Sequence, residues 1–354
     1  MKTDIHAMIE NKIKQIRKFD ETASARAQRH SDNLTKPPGS LGKLESIAAQ
    51  LAGIHGDLWP QLDKRAVVVM AADHGVCDEG VSAFPQEVTA QMVLNFLSGG
   101  AAVNVLAAQA GADVFCVDIG VKTDVDHPDV CSRKVVYGTA NMVKGAAMSL
   151  DQTKQAIAAG IAVAEELVGK GYRLFATGEM GIGNTTASAA IASVLLGLPP
   201  EQTVGRGTGI DDSGWLRKVE IVKRAIEVNA PAADQPVETL AKVGGAEIAG
   251  LAGVIIGAAA NGCPVVVDGY ISSVAALVAA KISDRVKPYL FGSHLSQEQG
   301  HKRVLEALEL EPMVQLDMRL GEGTGAVLCF HFLDAALKLM QEMATFESAG
   351  ISKE

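Results

Sequence analysis

The sequence predicts an α/β fold in which parallel strands are covered by helices. Three observations predict it. From Arg65 onward, short apolar runs alternate with helical stretches, the order of βαβ units. The apolar runs suit strands buried on both faces, as in a parallel sheet. The composition is 48% hydrophobic but only 4% aromatic, with 36 glycines. The core is therefore built from Ala, Val, Ile and Leu, and helices must pack closely on small residues. At 354 residues the chain exceeds what one hydrophobic core usually spans, so a large domain with an accessory piece, or two domains, is expected.

In chain order, residues 1–35 read as helical, with Ile5, Met8, Ile9, Ile13 and Ile16 at near-helical spacing. Pro37 and Pro38 stop that helix. Another resumes through Ile47, Leu51 and Ile54. Strands are expected at residues 66–71, 114–117, 172–176 and 264–267. Helices are expected at 85–97, 101–110, 151–170, 185–196, 216–229 and 248–260. The uncharged run 248–267 is long enough for a membrane span. It contains Asn261, Gly262 and Pro264, so it reads as a buried helix over 246–260, a turn and a short strand. Residues 314–318 alternate like a strand, and 326–343 read as a helix. No internal repeat or low-complexity segment is visible.

The net charge is −9 and no basic block occurs, which argues against nucleic acid as a partner. The five cysteines are scattered, odd in number and never spaced C-x-x-C. That gives no support to a zinc knuckle or disulfide scaffold and fits a reducing cytoplasm. Cys116 and Cys263 read as small core hydrophobes. No apolar leader is seen between Met1 and Lys18, and no membrane span is expected.

Four expected strands end in an acid beside glycine: Asp73-His74-Gly75, Asp118-Ile119-Gly120, the 178–184 stretch with Glu179, and Asp268-Gly269. Ligands of open parallel sheets bind at the carboxyl ends of the strands, so these acids point to a shared rim. Glu322, held among Gly321, Gly323 and Gly325, would be a fifth contributor if residues 314–318 join the sheet. Gly181, Gly183, Asn184 and Thr185 open a helix directly after a strand, which is either an ordinary cap or an anion site. No Walker A or dinucleotide fingerprint follows. Gly205-Arg206-Gly207-Thr208-Gly209 is a second glycine loop, followed by Lys218 in a basic helix. Together they point to a phosphorylated ligand. Phe84 and Met92 either wall a flat aromatic ligand or are helix core residues. His74 is a candidate ligand or base, without a second histidine at metal spacing. His294 and His301 lie on a polar stretch and read as surface residues.

Five motifs occur in order: Lys36-Pro37-Pro38-Gly39-Ser40-Leu41-Gly42-Lys43-Leu44-Glu45, Ala72-Asp73-His74-Gly75-Val76, Gly178-Glu179-Met180-Gly181-Ile182-Gly183-Asn184-Thr185-Thr186, Lys242-Val243-Gly244-Gly245, and Arg319-Leu320-Gly321-Glu322-Gly323-Thr324-Gly325-Ala326. Over nearly its whole length the chain resembles the nicotinate-nucleotide–dimethylbenzimidazole phosphoribosyltransferases of cobalamin nucleotide-loop assembly. The resemblance implies a Rossmann-like parallel sheet of about six strands at 62–292, and a small helical domain from 1–61 and 293–354. It implies transfer of the 5-phosphoribosyl group of nicotinate mononucleotide to 5,6-dimethylbenzimidazole, giving α-ribazole 5′-phosphate and nicotinate. Glu322 would be the general base and Glu179 a second carboxylate. Gly181, Gly183, Asn184, Thr185, Gly205, Gly207, Lys218 and Asp268 would hold the phosphate and ribose. Asp73, His74, Ser82, Phe84, Met92 and Leu320 would form the base pocket. The family carries Ser and Gln where this chain has Phe84 and Met92. No cofactor and no metal are implied, and a homodimer is. A non-catalytic sensor of a phosphorylated metabolite would use the same glycine loops. A kinase-like transferase would need an ATP–Mg²⁺ site that the sequence does not display.

Overall fold

The computed structural model describes residues 5–352. The first four residues of the expected N-terminal helix and the last two of the C-terminal segment lie outside it. The sheet has six parallel strands: β1 (Arg65–Ala72), β2 (Ala112–Gly120), β3 (Cys131–Ser132), β4 (Leu174–Met180), β5 (Val265–Val267) and β6 (Leu290–Gly292). Their spatial order is β3-β2-β1-β4-β5-β6. The order reverses between β1 and β4, and crevices of such sheets open at that point. β1 is central because its sequence, Arg-Ala-Val-Val-Val-Met-Ala-Ala, is buried at every residue after Arg65.

The small-residue core follows from the composition. Helix Ala246–Ala260 is buried at every residue but the last and crosses helix Leu150–Gly169. A methyl at Gly160 would fall 1.9 Å from the Gly250 carbonyl oxygen, and one at Gly253 would fall 2.0 Å from that of Ile157. The two backbones touch, which only glycine permits. The 248–267 run is thus a buried helix, a turn and β5. The apolar stretch Val88–Gln109 is in sum long enough to cross a membrane. A turn at residues 98–101 divides it into helices of 10 and 8 residues. Neither reaches the ~20 residues a bilayer core requires.

Three expectations are corrected. The N-terminal helix is two helices, Ile5–Gln15 and Glu21–Asn33, because Asp20 caps the second by accepting the Ala23 N–H at 2.9 Å. Residues 314–318 are not a strand. Asp317 has φ of 54° and Leu316 is exposed, so the alternation neither stays extended nor buries a face. The 326–343 helix is likewise interrupted at Cys329, between Thr324–Leu328 and Phe330–Glu342.

The two ends of the chain meet. Thr35 N–H donates to the Ala344 carbonyl at 3.0 Å. Arg65, at the start of β1, ties the C-terminal segment to the sheet by pairing with Asp334 through two guanidinium nitrogens at 2.8 and 2.7 Å. The Lys36–Glu45 motif serves this end of the molecule. Lys36 Nζ lies 2.8 Å from Glu45 Oε1, both groups are buried, and Glu45 also accepts the Leu41 N–H at 2.9 Å. It is an interhelical turn held by a buried ion pair.

Candidate active site

A cavity of about 640 Å³ opens at the carboxyl edge, over β4, β5 and β6. Its floor is the loop after β4. Gly183 takes φ of 96° and begins helix Asn184–Leu196. Ile182 is fixed from both sides: its N–H donates to Thr89 Oγ1 at 3.1 Å, and its carbonyl accepts the Cys77 thiol at 3.0 Å. Residues 181–185, at the start of this helix, line the cavity, where the dipole favours an anion.

The Glu322 loop reaches the site by side-chain anchoring rather than as a strand. Gly321, Glu322 and Gly323 have φ of 86°, 65° and 93°. For a glutamate that conformation costs about 1–3 kcal/mol, strain of the kind that collects at functional sites. Asp268, at the end of β5, compensates. Its Oδ2 accepts the Gly323 N–H at 3.1 Å and its Oδ1 the Ala326 N–H at 2.9 Å. The loop then lies on β4: a methyl at Gly178 would fall 2.4 Å from the Glu322 carbonyl oxygen, and one at Gly321 would fall 2.3 Å from Glu179 Oε1. Glu322 N–H points to Glu179 Oε1 at 3.4 Å.

Two buried carboxyls thus share one wall. Burial, then the negative charges of Asp268 and Glu247, pushes Glu179 up to about 8. The Asn184 amide, which donates to Glu179 Oε2, opposes this. Burial, then Asp268, pushes Glu322 up to about 7, and its Oε2 is buried without a partner. A carboxylate that titrates near neutrality and still has a free acceptor is equipped to take a proton.

Among the expected site residues, Ser82, Phe84, Met92, Glu179, Gly181, Gly183, Asn184, Thr185, Gly207, Leu320 and Glu322 line this cavity. Five do not. Gly205 lines a neighbouring depression. Lys218 lies behind the wall, almost wholly buried, and donates to Thr185 Oγ1 at 2.7 Å. Burial, partly offset by Glu298, draws its ammonium down to about 8. Asp268 is spent on the Glu322 loop. Asp73 turns Oδ2 to the Lys122 N–H at 2.8 Å. His74 is buried against Glu247, Nε2 to Oε1 2.7 Å, beneath Gly181. Although burial opposes its charge, Glu247 and Asp73 hold that imidazole above its ordinary value. The rim of strand-end acids is corrected accordingly. Only Glu179 of the four faces the cavity, and Asp118 is engaged by Lys134 at 2.9 Å.

Sequence reasoning missed His294, Ser296 and Glu298, which line the cavity after β6. His294 and His301 are not surface residues but 2% and 0% exposed. His301 bonds Ser273 at 2.9 Å and Ser296 Oγ at 2.8 Å, and helix Tyr270–Ile282 covers it. A three-residue strand left no sequence signal for this edge.

The chain matches known proteins over nearly its full length. A phosphoribosyltransferase family model covers residues 16–351. Similar proteins include the nicotinate-nucleotide–dimethylbenzimidazole phosphoribosyltransferases of Chloroflexus aurantiacus, 52% identical over 98% of this chain and 99% of that one, and Prosthecochloris aestuarii, 52% identical over 95% and 96%. The crystal structure of the Thermus thermophilus enzyme of that name superposes with a TM-score of 0.90 at 47% identity, over 95% of this chain and all of the other.

Proposed function

The chain belongs to the nicotinate-nucleotide–dimethylbenzimidazole phosphoribosyltransferase family, and we propose that it transfers the 5-phosphoribosyl group of nicotinate mononucleotide to 5,6-dimethylbenzimidazole. The observation that carries the residue assignment is the pair of raised carboxyls, Glu179 and Glu322, on the wall of a cavity whose floor is a helix N-terminus.

In this reading the bond between C1′ and the pyridinium nitrogen breaks, and its electron pair returns to that nitrogen. The leaving group departs as nicotinate with a neutral ring nitrogen and needs no acid. A benzimidazole nitrogen attacks C1′ from the opposite face, which turns a β-nucleotide into an α-riboside. The attacking ring would become cationic, so Glu322 takes the proton from its other nitrogen. Glu179, when ionised, favours the positive charge that develops at C1′. Holding both substrates in line supplies much of the rest. The 5′-phosphate sits at residues 181–185 and at Gly207, with Lys218 behind. Phe84, Met92 and Leu320 flank the flat acceptor. Phe84 and Leu320 are 54% and 56% exposed yet line the cavity, as expected for walls that an aromatic ligand would cover.

The same reading includes a body at 62–292 and a second at 1–61 and 293–354, supported by the contacts between the chain ends. It includes a homodimer, supported by an exposed face with Leu94 and Val105 in a stretch without one charged side chain from residue 88 to 112. Five free thiols support a reducing, cytoplasmic setting.

Nicotinate release from nicotinate mononucleotide that depends on added dimethylbenzimidazole is the deciding measurement. Binding of the nucleotide without such release would instead favour a sensor.

A further inference from the structure

Two of the five sequence motifs, Ala72-Asp73-His74-Gly75-Val76 and Lys242-Val243-Gly244-Gly245, take no part in the reaction as described. They meet under the cavity floor. His74 and Glu247 form a buried pair there, Nε2 to Oε1 2.7 Å, with side chains 1% and 0% exposed. Gly245 makes room for the carboxylate: a methyl there would fall 2.5 Å from Glu247 Oε2 and 2.8 Å from Oε1. The imidazole lies directly beneath the loop after β4. A methyl at Gly181 would sit 3.3 Å from His74 Nε2, and one at Gly183 would sit 3.3 Å from its Cβ. Both glycines line the cavity. The backbone on either side of the ring is fixed as well. The His74 carbonyl accepts the Gln86 amide at 2.9 Å, and the Gly75 N–H donates to Thr139 Oγ1 at 3.2 Å.

Such a pair is a poor device for stability alone. The cost of desolvating two charges offsets most of their attraction, and an apolar pair of the same volume packs as well. The surroundings indicate what the charges do. Helix Ala246–Ala260, which carries Glu247, packs on β1 and β4. Glu247 and Asp268 are the two negative charges that act on Glu179. Among the described residues, Glu247 has no side-chain partner but His74, and its Oε2 is buried without one. The charged groups facing His74 are Glu247 from that helix and Asp73 from the end of β1. Burial disfavours a charged ring, but Glu247 and then Asp73 outweigh it. Cys77, beside Gly183, stays neutral because burial pushes its thiol up to about 12. Lys122 meets Asp73 through its backbone N–H, and its ammonium is taken by Gln86 at 3.2 Å.

We propose that His74 is a positioning residue for Glu179: its imidazolium neutralises Glu247 under the cavity floor and so lets Glu179 carry negative charge at the reacting carbon. Without the imidazole, Glu247 and Glu179 would be two neighbouring buried carboxyls with no counter-charge. Such groups hold one proton in common and release the second only at a much higher pH. With the imidazolium in place Glu247 stays ionised, and the proton left to lose belongs to Glu179. The kinetic consequence rests on the proposed reaction; the charge of the pair does not.

The test follows kcat against pH in wild type, His74→Gln, Glu247→Gln and the double variant, with thermal melts to confirm folding. Beyond the step of Glu322 near 7, wild type should show a further rise near 8 from Glu179. His74→Gln should move that rise up by about one pH unit or more and lower kcat at about pH 7.5 by about tenfold, the effect of losing one opposite charge beside a carboxyl. Glu247→Gln should not move it up. In the double variant the rise should return to within about half a pH unit of wild type, because the two substitutions together remove no net charge. KM for the mononucleotide should change less than kcat throughout. A ring that only fills space would lower activity without moving the rise, or would leave the double variant no better than His74→Gln, and either result overturns the proposal. Nitrogen-15 NMR of histidine-labelled protein needs no His74 variant. One imidazole of wild type should stay charged above about pH 7 and lose that property in Glu247→Gln, the mark of a ring held by a buried carboxylate. A wild type in which every imidazole is neutral at that pH also overturns it. Wild type that releases no nicotinate would instead bring down the reaction, while the NMR result would still decide the charge of the pair.

Discussion

Glu322→Gln separates the chemistry of this carboxyl from its cost to the fold. The side chain keeps its shape and loses the proton acceptor. We expect kcat to fall by about 10² or more, the scale of one positioned general base, while nicotinate mononucleotide still binds. The same change should stabilise the protein, and the sign follows from the titration. The carboxyl lies at about 7 in the fold against an ordinary 4.5, so the folded state holds this proton more tightly than the unfolded chain does. Stability is then full below about pH 4.5, declines as the pH rises from 4.5 towards 7, and is level above. The gap between 4.5 and 7 would correspond to ~3.4 kcal/mol, and facing a solvent-filled cavity reduces this to about 2 kcal/mol. For a chain of this size that is about 2–3 °C in Tm. The variant should thus melt about 2–3 °C above wild type at pH 8 and together with it near pH 4, read by calorimetry in matched buffers. Wild-type kcat should rise through a midpoint near 7 that the variant lacks. Near-wild-type turnover would refute the base assignment and direct attention to Glu179. A difference in Tm that does not change with pH would refute the charge argument.

Lys218→Ala should chiefly raise KM for the nucleotide. Because Lys218 is drawn down to about 8, wild-type affinity should weaken as the pH passes 8, and the variant should lose that dependence; a fall in kcat at constant KM would place Lys218 in the chemical step. Asp268→Ala removes the acceptor of two loop N–H groups and should lower kcat by at least about tenfold, since each hydrogen bond to a charged group contributes about 1.5–3 kcal/mol. Calorimetry should still detect nucleotide binding in that variant, and undiminished kcat would mean that the loop holds itself. Phe84→Ser should shift acceptor preference from dimethylbenzimidazole towards more polar bases in direct competition, and an unchanged product ratio would remove Phe84 from the acceptor pocket.

The layered architecture was legible because it depends on periodicity and on small residues, both local properties. Residues 66–71 read as a buried strand and 246–260 as a buried helix from their own composition and punctuation, and the structure has both. Glu322 was legible as a site residue because a lone acid among glycines has little to do structurally. The edge of the sheet was not legible. Strands of two and three residues, β3 and β6, carry no periodicity, so the approach of His294 and Glu298 to the cavity left no trace in the sequence. Residues 314–318 alternate like a strand, yet a strand exists only where a neighbour supplies a ladder of hydrogen bonds. Here the pairing stops at one bridge, between His294 and Val314.

The roles of the acids were decided by tertiary structure. Asp73, Asp118, Glu179 and Asp268 share one local pattern, an acid beside glycine after an apolar run. What separates them is which N–H or cation the fold places within 3 Å or so. Lys122 N–H takes Asp73, Lys134 takes Asp118, and the loop of Glu322 takes Asp268. Glu179 alone is left on the cavity wall, where burial and two neighbouring negative charges keep its proton on until the pH approaches 8. Residue type and spacing determine that carboxylates arrive at one edge of a parallel sheet. Whether each becomes a brace or a reacting group depends on partners that other segments of the chain bring up to it, which no local pattern encodes.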